Sequence, residues 1–194
     1  MQKEKFEVSA LTFEYFGVAR KELEAAASLA RAAGVDEHRL FRLPDLREAE
    51  DIGGSKFGGM PGTYIPGRNG IFYSIAASYA EEMGAGLVLG GHNRDDRRAF
   101  KDARPVFFRS LERALRLGSR SSRDSVRIGL PLTGMTKTSV VRLAAETGVP
   151  LALTWSCHRD GQEHCWECEG CVSREGAFKK AGVRDPLRET GKIT

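Results

Sequence analysis

The chain has 194 residues, enough for one full-sized domain, and its 41% hydrophobic and 29% charged residues are ordinary for a soluble globular protein. No apolar run approaches the roughly 20 residues of a membrane span, and the charged start MQKEKFEVSALTF does not read as a signal peptide, so a cytoplasmic protein is expected. The formal charge of +4 is a weak basic bias that suits an anionic small molecule and makes no case of its own for nucleic acid.

The run from Phe6 to Phe13 reads as a strand whose apolar second half predicts burial on both faces. An Ala-rich helix follows over 18–33, with Gly34 as its stop, and residues 39–43 read as a short strand. Residues 44–70 are rich in Gly and Pro and too long for a simple connection, so a functional or mobile loop is expected there. Ile71, Phe72, Ile75, Ala76, Tyr79 and Met83 form a helical stripe ended by Gly84. Leu87-Val88-Leu89 reads as a buried strand, 105–117 as a helix with Phe108, Leu111 and Leu115 on one face, and 126–130 as another strand. Thr136 to Thr147 reads as a helix stopped by Gly148, and 172–181 as a last short helix. Alternating strands and helices predict an α/β fold with a parallel sheet between helical layers.

All four cysteines, Cys157, Cys165, Cys168 and Cys171, fall in fifteen residues with the spacing C-x7-C-x2-C-x2-C. Such crowding is the pattern of one tetrahedral zinc site, closed and therefore structural. The alternative, two disulfides, does not suit a reducing compartment. Four thiolates and one Zn²⁺ bring the formal charge from +4 to near +2. His164 adjoins Cys165 as a competing ligand, but the cysteines already complete the coordination. With no internal repeat and no linker, the chain reads as one domain: residues 1–154, followed by a zinc-stapled lobe over 155–194.

Three polar clusters follow predicted strands or precede helices, where open parallel sheets bind ligands. They are Gly90 to Asp96, Pro131 to Lys137, and Thr63 to Asn69. Asn69 is placed to cap the helix that follows, and Arg68 beside it to make a bidentate contact with phosphate. Thr136 is a second N-cap, and Lys137 in the first helical turn opposes the helix dipole unless it holds an anion. Asp95 and Asp96 are either magnesium ligands or solvated partners of Arg94, Arg97 and Arg98, with the second reading favoured. His92 and His158 carry weaker signals. Arg94, Arg97, Arg98, Lys101 and Arg104 form a basic cluster with Phe100 as its one interleaved aromatic, which argues against a single-strand nucleic-acid surface.

Taken together, these residues resemble the 7-cyano-7-deazaguanine synthase family of queuosine and archaeosine biosynthesis. The matching pieces are Ala10-Leu11-Thr12-Phe13, Thr63 to Asn69 with Ile71-Phe72, Ser74-Ile75-Ala76-Ala77, Met135-Thr136-Lys137, and Leu153-Thr154-Trp155-Ser156-Cys157. Cys165, Cys168, Cys171 and Phe178 continue the last of them. The resemblance implies a Rossmann-like, ATP pyrophosphatase-type α/β fold with a zinc-stapled C-terminal lobe. It implies ligation of 7-carboxy-7-deazaguanine with ammonia, using ATP with magnesium, and one structural zinc per chain. It carries nucleotide and substrate contacts onto Leu11, Thr12, Phe13, Arg68, Asn69, Asp96, Thr136 and Lys137, with zinc on the four cysteines.

The sequence departs from the family at three places. The Ser-Gly-Gly-x-Asp-Ser phosphate loop is absent; Gly53-Gly54-Ser55 and Gly58-Gly59 do not replace it. The family's Gly-Gln-Arg-His stands as Phe16-Gly17-Val18-Ala19, and its Asp-Tyr-Ser-Gly-Tyr-Pro-Asp as Asp96 to Asp102. The chain therefore begins where the family's second strand is expected, which leaves a strand edge open and favours self-association as a homodimer. Three readings follow: an N-terminally incomplete record of an active enzyme, a diverged carboxylate–amine ligase, or a zinc-stabilised binding module without ATP chemistry.

Overall fold

A computed structural model describes residues 6–49, 58, 60, 62–119 and 126–188. Gly53, Gly54, Ser55 and Gly59 lie outside the described residues. The chain divides into two compact units, one of residues 1–47 and 141–194 and one of residues 48–140.

The first unit opens with strand β1 (Ser9–Tyr15), helix α1 (Arg20–Ala33) and strand β2 (Glu37–Leu43). The two strands pair in parallel from Ser9 against Glu37 to Tyr15 against Leu43. A parallel pair needs a crossover, and α1 supplies it. Gly34 ends α1 in the left-handed region at φ 60°, its N–H donating to the carbonyls of Ala30 and Arg31. The register is reinforced by Phe13 stacked on Phe41 at 5.8 Å and by Arg42 donating to Glu14 at 2.9 Å. No residue of β1 is fully buried, against the expectation of burial on both faces. The physical reason is that β1 pairs with β2 alone among the described strands.

The remainder of this unit is the end of α5 (Lys137–Glu146), a 3-10 turn at Leu151–Leu153 and helix α6 (Glu169–Ala181). Val141, Ala177 and Phe178 form its buried cluster, with Leu151, Ala181 and Val183 packed against it. Arg142 closes the C-terminus of α6, donating to the carbonyls of Ala181 and Lys180 at 3.1 and 2.8 Å.

The second unit holds α2 (Arg68–Met83), β3 (Leu87–Leu89), α3 (Asp96–Ala99), α4 (Pro105–Gly118), β4 (Arg127–Gly129) and the first turn of α5. β3 and β4 pair in parallel, with Gly90 N–H to Gly129 carbonyl and Arg127 N–H to Gly86 carbonyl extending the ladder. Ala77, Ala80 and Val126 form the core, against Val88 and Leu115. Phe108 on α4 is 2% exposed, a burial that contributes roughly 1.5–3 kcal/mol. The Ile128 N–H of β4 donates to the Glu112 carboxylate of α4 at 2.8 Å, so a side chain satisfies a backbone group of a short strand. Leu87 and Leu89 are 51% and 64% exposed, so β3 is not the buried strand its composition predicts.

Parallel pairing and β–α alternation agree with the expected α/β class. The described strands form two two-stranded sheets, where a single sheet was expected. Among the described residues, no helix is long and apolar enough to cross a membrane.

Candidate functional site

The cysteine cluster is built by a loop and the first turn of α6. All four sulfurs lie within 4.8 Å of one another, with Cys165–Cys171 and Cys168–Cys157 both at 3.9 Å. A tetrahedron of zinc–sulfur bonds of about 2.3 Å has edges of about 3.8 Å. A disulfide needs about 2.05 Å, and the four cysteines are free. The donor set and spacing therefore fit a closed Zn²⁺ site, held by Cys157, Cys165, Cys168 and Cys171.

The surroundings prepare the thiols for that role. Cys168 N–H points at the Cys165 sulfur at 3.3 Å and His158 N–H at the Cys168 sulfur at 3.5 Å. Backbone N–H groups of Glu167 and Cys168 bring the Cys165 thiol down to about 6, whereas burial pushes Cys171 up to about 12. Between Cys165 and Cys168, Trp166 adopts φ 59°. Its ring lies 5.1 Å from His164 and carries the Arg188 guanidinium at 4.5 Å, contacts that hold this unfavourable backbone in place. His164 is not a ligand: its Nε2 accepts the Ser156 N–H at 3.1 Å, its ring lies 4.2 Å from Trp155, and burial lowers its pKa.

A buried ion pair, which sequence reasoning missed, anchors α6 behind the cluster. Arg174 donates to both Asp185 oxygens at 2.7 and 2.8 Å and to Thr154 Oγ1 at 2.7 Å. Arg174 is 3% exposed and Asp185 8%. The only signal in the sequence is an arginine three residues after Cys171, on the same buried face of the helix. Gly170 is required by close approach, because a Cβ there would overlap the Ser156 carbonyl oxygen.

In the second unit, polar groups gather at the carboxyl ends of β3 and β4. Gly67 precedes α2 at φ 71°, so the helix begins at Arg68. Asn69 is thus not the N-cap it was expected to be. It sits in the first turn, buried, with its N–H donating to Asp102 Oδ2 at 3.4 Å and its side-chain amide to the Asp102 carbonyl at 3.3 Å. Arg68 is half-buried and has no carboxylate partner among the described residues.

Thr136 does cap α5, its Oγ1 accepting the Ser139 N–H at 3.1 Å. Lys137 N–H donates to Asp95 Oδ2 at 2.9 Å. Asp96 Oδ2 accepts the Asn93 N–H at 2.9 Å, and Asn93 Oδ1 accepts the N–H of Asp95 at 2.8 Å. The two aspartates therefore accept backbone amides, and among the described residues neither is paired with the arginines favoured as their partners. Two atoms here are buried without any hydrogen-bond partner, Arg94 Nε and Thr133 Oγ1. Such orphans are expensive unless something completes them, and the sequence carries no sign of them.

Beneath this edge, His92 lies 5.8 Å from the Tyr73 ring and 5.1 Å from Phe108. Burial lowers the His92 pKa and pushes the Tyr73 hydroxyl up to about 12. Both rings are therefore neutral at physiological pH and serve as packing. A Cβ at Gly90 would overlap the Tyr73 hydroxyl, so the strand end needs glycine. In the first unit, Leu11, Thr12 and Phe13 lie along β1, and Thr12 Oγ1 is already paired with His38 Nε2 at 2.8 Å.

A family model described as queuosine biosynthesis protein QueC matches residues 1–182. The chain belongs to this family. It is 37% identical over 194 aligned positions to a 7-cyano-7-deazaguanine synthase of Thermosynechococcus vestitus, covering 92% of this chain and 83% of that protein. A protein of the same name from Thermoplasma acidophilum is 36% identical, over 94% and 81% of the two chains. One from Oceanobacillus iheyensis is 35% identical, over 94% and 87%. The QueC family has an ATP pyrophosphatase-like α/β fold, and the parallel β-α-β arrangement and four-cysteine cluster of this chain agree with it.

Proposed function

We propose that this chain is an enzyme that converts 7-carboxy-7-deazaguanine and ammonia into 7-cyano-7-deazaguanine with consumption of ATP, in queuosine and archaeosine biosynthesis. The observation that carries the reading is the family match over residues 1–182, in a chain that also assembles the four-cysteine centre.

The chemistry runs in two rounds. The substrate carboxylate attacks the α-phosphorus of ATP, giving an acyl adenylate and pyrophosphate. Ammonia displaces AMP to form the amide. A second ATP adenylates the amide oxygen, and loss of AMP with a proton leaves the nitrile. Each carboxylate oxygen thus departs on AMP, a far better leaving group than oxide. Magnesium, when bound to the phosphates, supplies neutralisation of their charge.

In this proposal Arg68, at the start of α2, and Lys137, at the start of α5, bind the nucleotide phosphates. Thr136 holds the backbone of that turn through its cap. Asp96 and Asn69 position the surrounding loops through the hydrogen bonds described above. Leu11, Thr12 and Phe13 offer backbone groups of β1 to the nucleotide or substrate. Arg94 Nε and Thr133 Oγ1, buried and unpartnered, support a polar ligand at the ends of β3 and β4. Cys157, Cys165, Cys168 and Cys171 would hold a zinc ion that staples the lobe at 155–194, apart from the chemistry of the domain at 1–154. The proposal includes a cytoplasmic location and a homodimer, the latter from the edges of β1 and β3 that no other described strand covers.

The test is turnover by the purified full chain with 7-carboxy-7-deazaguanine, ammonia, ATP and magnesium. Two AMP should appear for each nitrile. ATP binding without nitrile would point to a diverged ligase, and no ATP binding would overturn the enzymatic reading for this chain. Lys137→Ala should weaken ATP binding without altering zinc content.

A further inference from the structure

The second unit carries a basic hollow that the proposed reaction does not use. Arg97, Arg98, Arg104, Pro105, Val106 and Arg109 line a shallow concavity of about 640 Å³. Arg97 and Arg98 come from α3, Arg104 precedes α4, and Arg109 lies one turn into α4. The two helices are tied together there, since Arg104 Nε donates to the Arg97 carbonyl at 3.3 Å.

None of the four guanidinium groups pairs with a carboxylate among the described residues. The nearby acids are committed elsewhere: Asp95 accepts from Lys137 N–H, Asp96 from Asn93 N–H and Asp102 from Asn69 N–H. Four like charges around one hollow repel one another, and none of them is held in an ion pair with a carboxylate of the described residues. A surface that only needed solubility would intersperse both signs.

We propose that this hollow binds an oligophosphate, a chain of two or more linked phosphate groups, whether free or carried by a nucleotide. Guanidinium forks match phosphate oxygens in bidentate geometry, and four of them balance the three to four charges of such a chain. Among the described residues the lining contains no aromatic side chain on which a base would stack, so the phosphates and not a base are what the site reads. The volume accommodates two or three phosphate groups and leaves the hollow open for the remainder of a ligand. The inference stands apart from the nucleotide contacts at Arg68 and Lys137 and does not depend on them.

The probe is inorganic tripolyphosphate, titrated calorimetrically into the full-length, zinc-loaded chain at two salt concentrations, with ADP as the nucleotide-borne comparison. The expected result is saturable binding that weakens as salt rises. R97A/R98A should lower affinity roughly tenfold or more, since each lost charge-assisted contact contributes to a change of that order. R97K/R98K, which keeps the charge and loses the fork, should recover part of it. Tighter binding of tripolyphosphate than of ADP supports a free ligand, and the reverse a nucleotide-borne one. Equal affinity in wild type and R97A/R98A overturns the proposal. So does binding that falls in K137A but not in R97A/R98A, and so does an RNA oligonucleotide that binds where tripolyphosphate does not.

Discussion

Replacing Asp185 by alanine tests the buried pair that fixes α6. The wild-type carboxylate accepts two hydrogen bonds from Arg174, at 2.7 and 2.8 Å, and a third from the Leu187 N–H at 3.1 Å. The side chains of Arg174 and Asp185 are 3% and 7% exposed, so water cannot replace what is lost. Alanine leaves a guanidinium buried with, among the described residues, only Thr154 Oγ1 and the Leu151 carbonyl as acceptors. Breaking one side of such a pair costs about 3–5 kcal/mol. For a chain of this size that is roughly 10 °C in Tm, at about 2–4 °C per kcal/mol.

The assay is urea denaturation of the zinc-loaded protein, read as a fall in midpoint at constant slope. Asp185→Asn, which keeps a carbonyl acceptor, should lose about half as much. The double variant R174M/D185L should be far milder than D185A, because two apolar groups leave no stranded charge. Thr154 then keeps its own hydrogen bond to the Leu151 carbonyl at 2.7 Å. A loss below about 1 kcal/mol in D185A, or a double variant as damaged as the single one, would refute the reasoning.

Three further outcomes follow from the same geometry. Metal analysis should find about one zinc per chain, and Cys171→Ser, at a fully buried ligand position, should abolish stoichiometric zinc and lower Tm, as chelation does. Gly170→Ala drives a Cβ into the Ser156 carbonyl, one residue before Cys157; a loss of about 1–3 kcal/mol with faster zinc release to a chelator is expected, and unchanged release would count against the contact. Tyr73, with its folded pKa raised from 10.0 to about 12, contributes stability that is full below pH 10 and lost as pH rises toward 12. The denaturation midpoint of Tyr73→Phe, followed from pH 9 to 12, should fall less steeply than that of wild type.

The elements were legible because their signals are local. Gly34, Gly84 and Gly148 stop three helices where the sequence places the stops, and each adopts a positive φ. Thr136 reads as a cap because an N-cap bond spans only three residues. The four-cysteine cluster was legible for the same reason, since its sulfurs come from within fifteen residues and short spacers bring them together. Asn69 misled because Gly67, in the left-handed region, starts the helix earlier and frees Asn69 to bond with Asp102, thirty-three residues away.

By itself the sequence determined the α/β class, the order of helices and strands, the four-cysteine cluster and the family resemblance, all properties of periodicity or short spacing. Tertiary structure alone decided which apolar strands stay exposed, which carboxylates are consumed by backbone amides and which remain to balance arginines. It decided that Arg174 is buried against Asp185, that Arg94 Nε and Thr133 Oγ1 are left without partners, and that four arginines share one hollow. Burial and charge pairing are set by residues distant in the chain, and a pattern read along the chain carries no record of which of them meet.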